Sequence, residues 1–163
     1  MKNKKGYSLI EILVVLTVFA LMATLATQSV LLTIRSSRKA EASIKARENL
    51  ENAVSVIERQ IRSAKSVTGT SSTRVDFVDS LGVASYFECR NLGAATNGYI
   101  AWGAPATNLT GANIDLTTCT FLVDPSASGV PAAVSVSITG TEINTSGVEA
   151  GNASVQTKIF LRQ

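Results

Sequence analysis

The clearest pattern in the sequence is a long apolar run close to the N-terminus. Residues 12–34 contain no charged side chain, and residues 12–26 are almost all Leu, Val, Ile, Ala, Phe and Met. An α-helix rises about 1.5 Å per residue, so a run of this length covers the ~30 Å hydrocarbon core of a bilayer. The pattern predicts a helix that spans a membrane once.

A cleaved secretory signal is the alternative, because it also combines a basic start with an apolar core. Ala23 and Ala26 are small residues of the kind a signal peptidase needs. However, no polar mature start follows them, and Glu11 lies inside the start of the apolar run. We therefore favour the membrane span.

The helical pattern continues beyond the apolar run. Residues 7–68 contain no Gly or Pro, and apolar side chains recur at spacings of three and four, as on one face of a helix. These side chains are Leu50, Val54, Ile57, Ile61 and Ala64. One continuous helix over about residues 8–64 is predicted. Its apolar stripe belongs either to a domain core, which we favour, or to a coiled coil facing a partner.

The sequence changes character at residues 68–72, Thr-Gly-Thr-Ser-Ser, where we expect the helix to end. Beyond this point short alternating runs of Val, Thr and Ser predict β-strands. The expected strands are residues 73–79, 84–90, 98–102, 118–123, 133–139 and 154–161. The predicted fold class is α+β, with an antiparallel sheet packed on the stripe of the long helix.

Charge is unevenly distributed along the chain. The net charge of +3 comes from 15 Lys and Arg against 12 Asp and Glu, and Lys2, Lys4 and Lys5 account for the excess. Positive residues beside a span stay in the cytoplasm, so we expect the chain after residue 34 to lie outside the inner membrane. The basicity is a targeting feature, and no specific nucleic-acid partner is inferred from it.

The remaining charges separate by region. Residues 35–65 carry eight positive and four negative side chains, whereas residues 66–163 carry four positive and seven negative. Glu58 and Arg62 are four residues apart in the order that favours a helical ion pair.

Glu11 requires a separate explanation. Ser8 and Glu11 have the spacing of a capping box, and a negative charge in the first turn suits the helix dipole. Neither point explains a carboxylate in apolar surroundings, where a charge at the bilayer centre costs about 2.5–3.5 kcal/mol. A carboxylate in such a place is expected to have a partner.

Residues 5–11, Lys-Gly-Tyr-Ser-Leu-Ile-Glu, followed by an apolar helix, resemble the N-terminal signal of type IV pilins and type II secretion pseudopilins. The resemblance implies that a prepilin peptidase cuts between Gly6 and Tyr7 and methylates the amine of Tyr7. It also implies that Glu11 is the assembly glutamate, and that the partners are other pilin or pseudopilin subunits and the inner membrane.

A minor subunit is favoured over the major one for two reasons. Gln28 occupies the position where major pilins often have a helix-breaking proline, and residues 58–64 are similar to a stretch of some minor subunits. Residues 1–6 are expected to be a cleaved leader, and residues 7–34 the transmembrane and assembly half of the helix. Residues 35–66 are expected to be its extracytoplasmic amphipathic half, and residues 67–163 a β-rich head domain. The rival function is a bitopic protein with a surface ligand-binding domain that does not polymerise.

The two cysteines and the lack of histidine bear on chemistry. Cys89 and Cys119 are the only cysteines, each in a predicted strand of an exported domain, which favours a disulfide over two buried free thiols. The sequence contains no His and no zinc-ligand spacing, so no metal or cofactor is expected. Catalysis by carboxylates alone is the remaining enzymatic option, and we expect a protein that is not an enzyme.

Overall fold

The computed structural model describes residues 8–93, 97–125, 131–143 and 150–162. In these residues one helix precedes eight strands. The elements are α1 (Leu9–Arg62), β1 (Ser66–Ser71), β2 (Arg74–Val78), β3 (Ala84–Arg90), β4 (Tyr99–Trp102), β5 (Thr107–Asn108), β6 (Ile114–Asp124), β7 (Ala133–Glu142) and β8 (Asn152–Phe160). The chain divides between Arg38 and Lys39 into two compact units. The fold is α+β, with antiparallel sheets packed against the long helix, as the sequence predicts.

Helix α1 starts and stops close to the predicted positions. The Ser8 carbonyl accepts hydrogen bonds from the backbone N–H groups of Glu11 at 3.0 Å and Ile12 at 3.3 Å. Near the other end the Ala64 N–H donates to the Ile61 carbonyl at 3.1 Å. The helix continues through Gln28 without a break, because no proline removes a backbone donor there.

The first unit presents an uncovered apolar surface. Every residue from Ser8 to Arg38 is exposed, including Phe19 at 70% and Leu25 at 68%. An 18-residue window of α1 has a mean hydropathy of 2.5, so the helix is long and apolar enough to cross a membrane. Four threonine hydroxyls in this part of α1 donate to backbone carbonyls three or four residues earlier, at 2.8–2.9 Å: Thr17, Thr24, Thr27 and Thr33.

The second half of α1 buries one face in the second unit. Leu50, Ile57 and Ile61 are completely buried, and the whole predicted stripe is buried with them. Ala42, Ala46 and Ala53 extend this face. The stripe is therefore part of the domain core, as predicted, and the small alanines let other backbone segments approach closely.

The strands form two antiparallel sheets where the sequence analysis expected one. The first has the order β1-β2-β3-β4-β5 and the second the order β6-β7-β8. The six predicted strands are confirmed as β2, β3, β4, β6, β7 and β8. The segment at residues 68–72, where the helix was expected to end, lies beyond the end of α1 at Arg62. Most of it belongs to β1, which pairs with β2 from Ser66 opposite Val78 onward.

Both sheets contribute to a single core with α1. Phe87 of β3 is completely buried and stacks on Phe77 of β2, with ring centroids 5.1 Å apart. In β7, Val136 and Ile138 are completely buried, whereas Ser137 between them is partly exposed. This alternation is expected for a sheet with one covered face.

Candidate functional site

The first candidate site is the start of α1, which contains the predicted assembly residue. Glu11 is exposed in the first turn, and helical spacing places Val14 and Val15 next to it on the same face. Within the described ranges its carboxylate forms no hydrogen bond or ion pair, so the side-chain half of the expected capping box is not formed. Gly6 and Tyr7, the predicted cleavage and methylation residues, lie outside the described residues.

The two cysteines form a disulfide that joins the two sheets. Cys89 is in β3 and Cys119 is in β6, with Cα atoms 6.1 Å apart. Cys89 is 8% exposed and Cys119 2% exposed, so the bond lies within the hydrophobic core. Of the two alternatives left open by the sequence, the structure contains the disulfide.

Some charged side chains on the exposed side of α1 form ion pairs with each other. Lys45 contacts Glu41 at 2.9 Å, and Arg47 contacts Glu51 at 2.7 Å. The expected pair between Glu58 and Arg62 does not form, because the Thr157 hydroxyl of β8 donates to Glu58 Oε1 at 2.8 Å. Tertiary contact with β8 therefore replaces the local helical pair.

A polar cluster ties the first three strands together. Arg74 Nη2 binds Asp76 Oδ1 at 2.7 Å, the Thr70 hydroxyl donates to Asp76 Oδ2, and the Arg74 guanidinium lies 4.1 Å from the centroid of the Tyr86 ring. Hydrogen bonding from Arg74, with help from Thr70, holds the pKa of Asp76 below its ordinary value although partial burial opposes it. The same bond raises the pKa of Arg74.

A group of basic residues around an aromatic ring was not predicted from the sequence. Arg59, Arg62 and Arg162 line a cavity together with Ser63 and Phe160. The available signal was the pair Lys158 and Phe160, which share a face of β8 because they are two residues apart, with Arg162 following closely in the sequence. No group of three or more His, Cys, Asp or Glu side chains suited to a metal ion occurs in the part of the chain that the structure describes.

These features define an α+β protein whose head is stabilised by a disulfide and whose N-terminal helix has an uncovered apolar surface. Residues 1–27 match the family model of the prokaryotic N-terminal methylation motif. The chain therefore carries a type IV pilin or pseudopilin type of signal, which marks a substrate of prepilin peptidase and indicates a structural subunit. No curated protein and no solved structure matches the chain.

Proposed function

We propose that this protein is a minor pilin or minor pseudopilin, assembled through α1 into a type IV pilus or a type II secretion-like filament. The precursor is inserted in the inner membrane with the head outside the cytoplasm, cleaved between Gly6 and Tyr7, and methylated on the amine of Tyr7. Residues 1–6 are the leader, 7–34 the anchoring and assembly segment, and 35–66 the amphipathic half beside the head at 67–163.

The observation that supports this proposal most strongly is the exposed apolar surface of α1 directly after the methylation motif. A contiguous apolar surface of this extent is found where another surface or a membrane covers it. Lipid covers it before assembly, and the helices of neighbouring subunits cover it afterwards. Because both surroundings are apolar, the same side chains suit both.

Glu11 provides the specific contact between subunits. An α-amino group has a pKa of about 7.7–8, so the new amine of Tyr7 is largely positive at neutral pH. In the filament this amine meets Glu11 of an adjoining copy among apolar helices. Such a pair need not add net stability, but removing one partner leaves a buried charge and costs about 3–5 kcal/mol. The pair therefore fixes the register of assembly.

Two features support a minor role. Helix α1 is uninterrupted at Gln28, where major pilins often have a proline. The stretch over residues 58–64, Glu-Arg-Gln-Ile-Arg-Ser-Ala, is similar to that of some minor subunits.

Mass spectrometry of the protein purified from a host with active prepilin peptidase tests the proposal. The expected N-terminus is Tyr7 carrying one methyl group on its amine. A host with an inactive peptidase is the control, and there the precursor should begin at Met1. An intact Met1 in the processing host would refute the proposal and support a bitopic protein that does not polymerise.

A further inference from the structure

The second unit contains a cavity of about 490 Å³ lined by Arg59, Arg62, Ser63, Phe160 and Arg162, which we call the arginine groove. It lies where the end of α1 meets the residues after β8, and the Arg162 N–H donates to the Arg62 carbonyl at 3.3 Å. Its volume is within the ~300–1,000 Å³ of small-molecule sites. The groove is therefore large enough to hold a substantial chemical group.

The arginine groove is lined by positive charge. Arg59, Arg62 and Arg162 are exposed, and they form no ion pair with any residue that the structure describes. Two acidic groups on neighbouring elements already have partners of their own. Glu58 accepts a hydrogen bond from Thr157 at 2.8 Å, and Asp124 contacts Lys158 at 2.8 Å.

Helix stability explains only part of this arrangement. Arg59 and Arg62 lie in the last turn of α1, where positive charge favours the helix dipole. Arg162 lies outside the helix, and the dipole gives no reason for a large apolar ring among the three arginines. Phe160 is 51% exposed, and Lys158 Nζ lies 5.8 Å from the centroid of its ring.

We propose that the arginine groove binds single-stranded nucleic acid, with phosphates held by the arginines and one base stacked on Phe160. Arginine forms bidentate, charge-assisted hydrogen bonds with phosphate oxygens. Aromatic rings beside a positive groove are the usual stacking platform for unpaired bases. A concave groove suits a chain that enters it better than it suits a flat membrane surface. This inference goes beyond the proposed filament function and does not depend on it.

The test measures binding of a fluorescent oligothymidine to the full chain in neutral detergent micelles by anisotropy. About three neutralised phosphates should give a slope of about −2 in a plot of log binding constant against log salt concentration. Arg162→Gln should reduce the magnitude of that slope by about 0.7. Phe160→Ala should weaken binding about tenfold.

Arg47→Gln is the matched control, because it removes the same charge from an exposed position where Arg47 is paired with Glu51. Arg47→Gln should change the affinity for oligothymidine less than twofold. An abasic oligomer of equal length separates stacking from charge, and the wild-type protein should bind it about tenfold more weakly than oligothymidine. Phe160→Ala should bind both oligomers equally. Thermal unfolding verifies that each variant is folded, and Arg59→Gln replaces Arg162→Gln if that variant is not.

Equal effects of Arg47→Gln and Arg162→Gln, or equal binding of the abasic and normal oligomers by the wild-type protein, would overturn the proposal. No oligomer binding, together with protection of the Arg162 segment from hydrogen exchange in anionic but not neutral nanodiscs, would also overturn it. That second result would assign the arginine groove to a membrane surface.

Discussion

Glu11 is the side chain on which the proposed assembly depends most directly. It is the one charged residue in residues 8–34, it is exposed, and Val14 and Val15 lie beside it. An isolated carboxylate near the start of an apolar helix is costly unless it meets a positive group. The described residues contain no such partner for it, and the partner that we propose is the Tyr7 amine of a second copy.

We expect Glu11→Ala to leave expression and membrane insertion intact and to prevent incorporation into filaments. The variant helix is more apolar, so insertion is not impaired, but the amine of Tyr7 in the neighbouring copy loses its partner at a cost of about 3–5 kcal/mol. An immunoblot of the membrane fraction measures insertion, and an immunoblot of the sheared-filament fraction measures incorporation. Thr17→Ala, which removes only a hydroxyl bonded within α1, is the control. Normal amounts of the Glu11 variant in filaments would contradict the assignment.

The Asp76 cluster predicts how stability changes with acid. The pKa of Asp76 is lowered in the folded state by Arg74 and Thr70. The carboxylate therefore stabilises the fold above its unfolded pKa of about 3.9, and this contribution is lost as pH falls through the lower folded value. Asp76→Asn should be less stable than wild type near neutral pH and should lose less stability in acid.

Urea unfolding between neutral pH and pH 2 measures this difference. Arg74→Gln removes the principal cause of the lowered pKa and should flatten the acid dependence in the same way. Identical acid profiles for the wild-type protein and both variants would show that this cluster makes no such contribution.

Among the elements, those with strong local signals were predicted, whereas β1, β5 and the division into two sheets were not. Helix α1 and its buried stripe follow from residues 7–68, which lack Gly and Pro and keep a helical spacing. Strand β1 contains Thr68, Gly69 and Thr70, which favour a turn when considered alone, and it becomes a strand because β2 pairs with it. The division into two sheets depends on pairing between distant segments, which a local pattern does not contain.

The disulfide between β3 and β6 should provide a large part of the stability of the head. It closes a loop of 30 residues, for which the chain-entropy model gives about 3–4 kcal/mol. Replacing both Cys89 and Cys119 with Ala should lower the free energy of unfolding by about this amount. Urea unfolding of the two proteins, with the wild-type protein measured with and without reductant, tests it. A loss below about 1 kcal/mol would contradict this role.

The approach of Gly151 to α1 provides a second test at this scale. A Cβ at Gly151 would lie 2.5 Å from the Ala42 carbonyl carbon and 2.8 Å from the Ala42 Cβ. Gly151→Ala should therefore force the segment before β8 away from the helix, at a cost of about 1–3 kcal/mol. Asn152→Ala at the next, exposed position is the control, and thermal unfolding compares them. Equal melting temperatures would show that the segment moves without cost.

At the scale of the whole molecule, the N-terminal signal could be recognised from the sequence and the arginine groove could not. The processing signal is contiguous in residues 5–11, so the sequence displays it directly. Arg59 and Arg62 come from the end of α1, whereas Phe160 and Arg162 come from the end of the described chain. Only the packing of β8 beside α1 brings them together, and the equal numbers of positive and negative side chains in residues 7–163 give no sign of them.

Membrane orientation is the prediction that belongs to the whole chain. Lys2, Lys4 and Lys5 precede the span, but Arg35, Arg38 and Lys39 follow it within five residues, so the positive residues directly beside the span are equal in number on its two sides. The leader lysines should therefore be needed for correct insertion. Replacing all three with Gln should leave a fraction of molecules inverted, with the head protected from protease in spheroplasts and the leader uncut.

The matched control replaces the three basic residues after the span with Gln. It should keep the expected orientation, because the three leader lysines then outnumber the positive residues that remain near the other end of the span, Lys45 and Arg47. Equal cleavage and equal protease access in both triple variants would show that these charges do not set the orientation.

The threonines of α1 bear on how a subunit would leave the bilayer in the proposed assembly. Thr17, Thr24, Thr27 and Thr33 direct their hydroxyl protons to carbonyls of their own helix. In the proposed passage from acyl chains to a bundle of sister helices, these four hydroxyls would therefore keep their hydrogen-bond partners. They need no new polar contact in either apolar environment, so they add no hydrogen-bond penalty to the transfer.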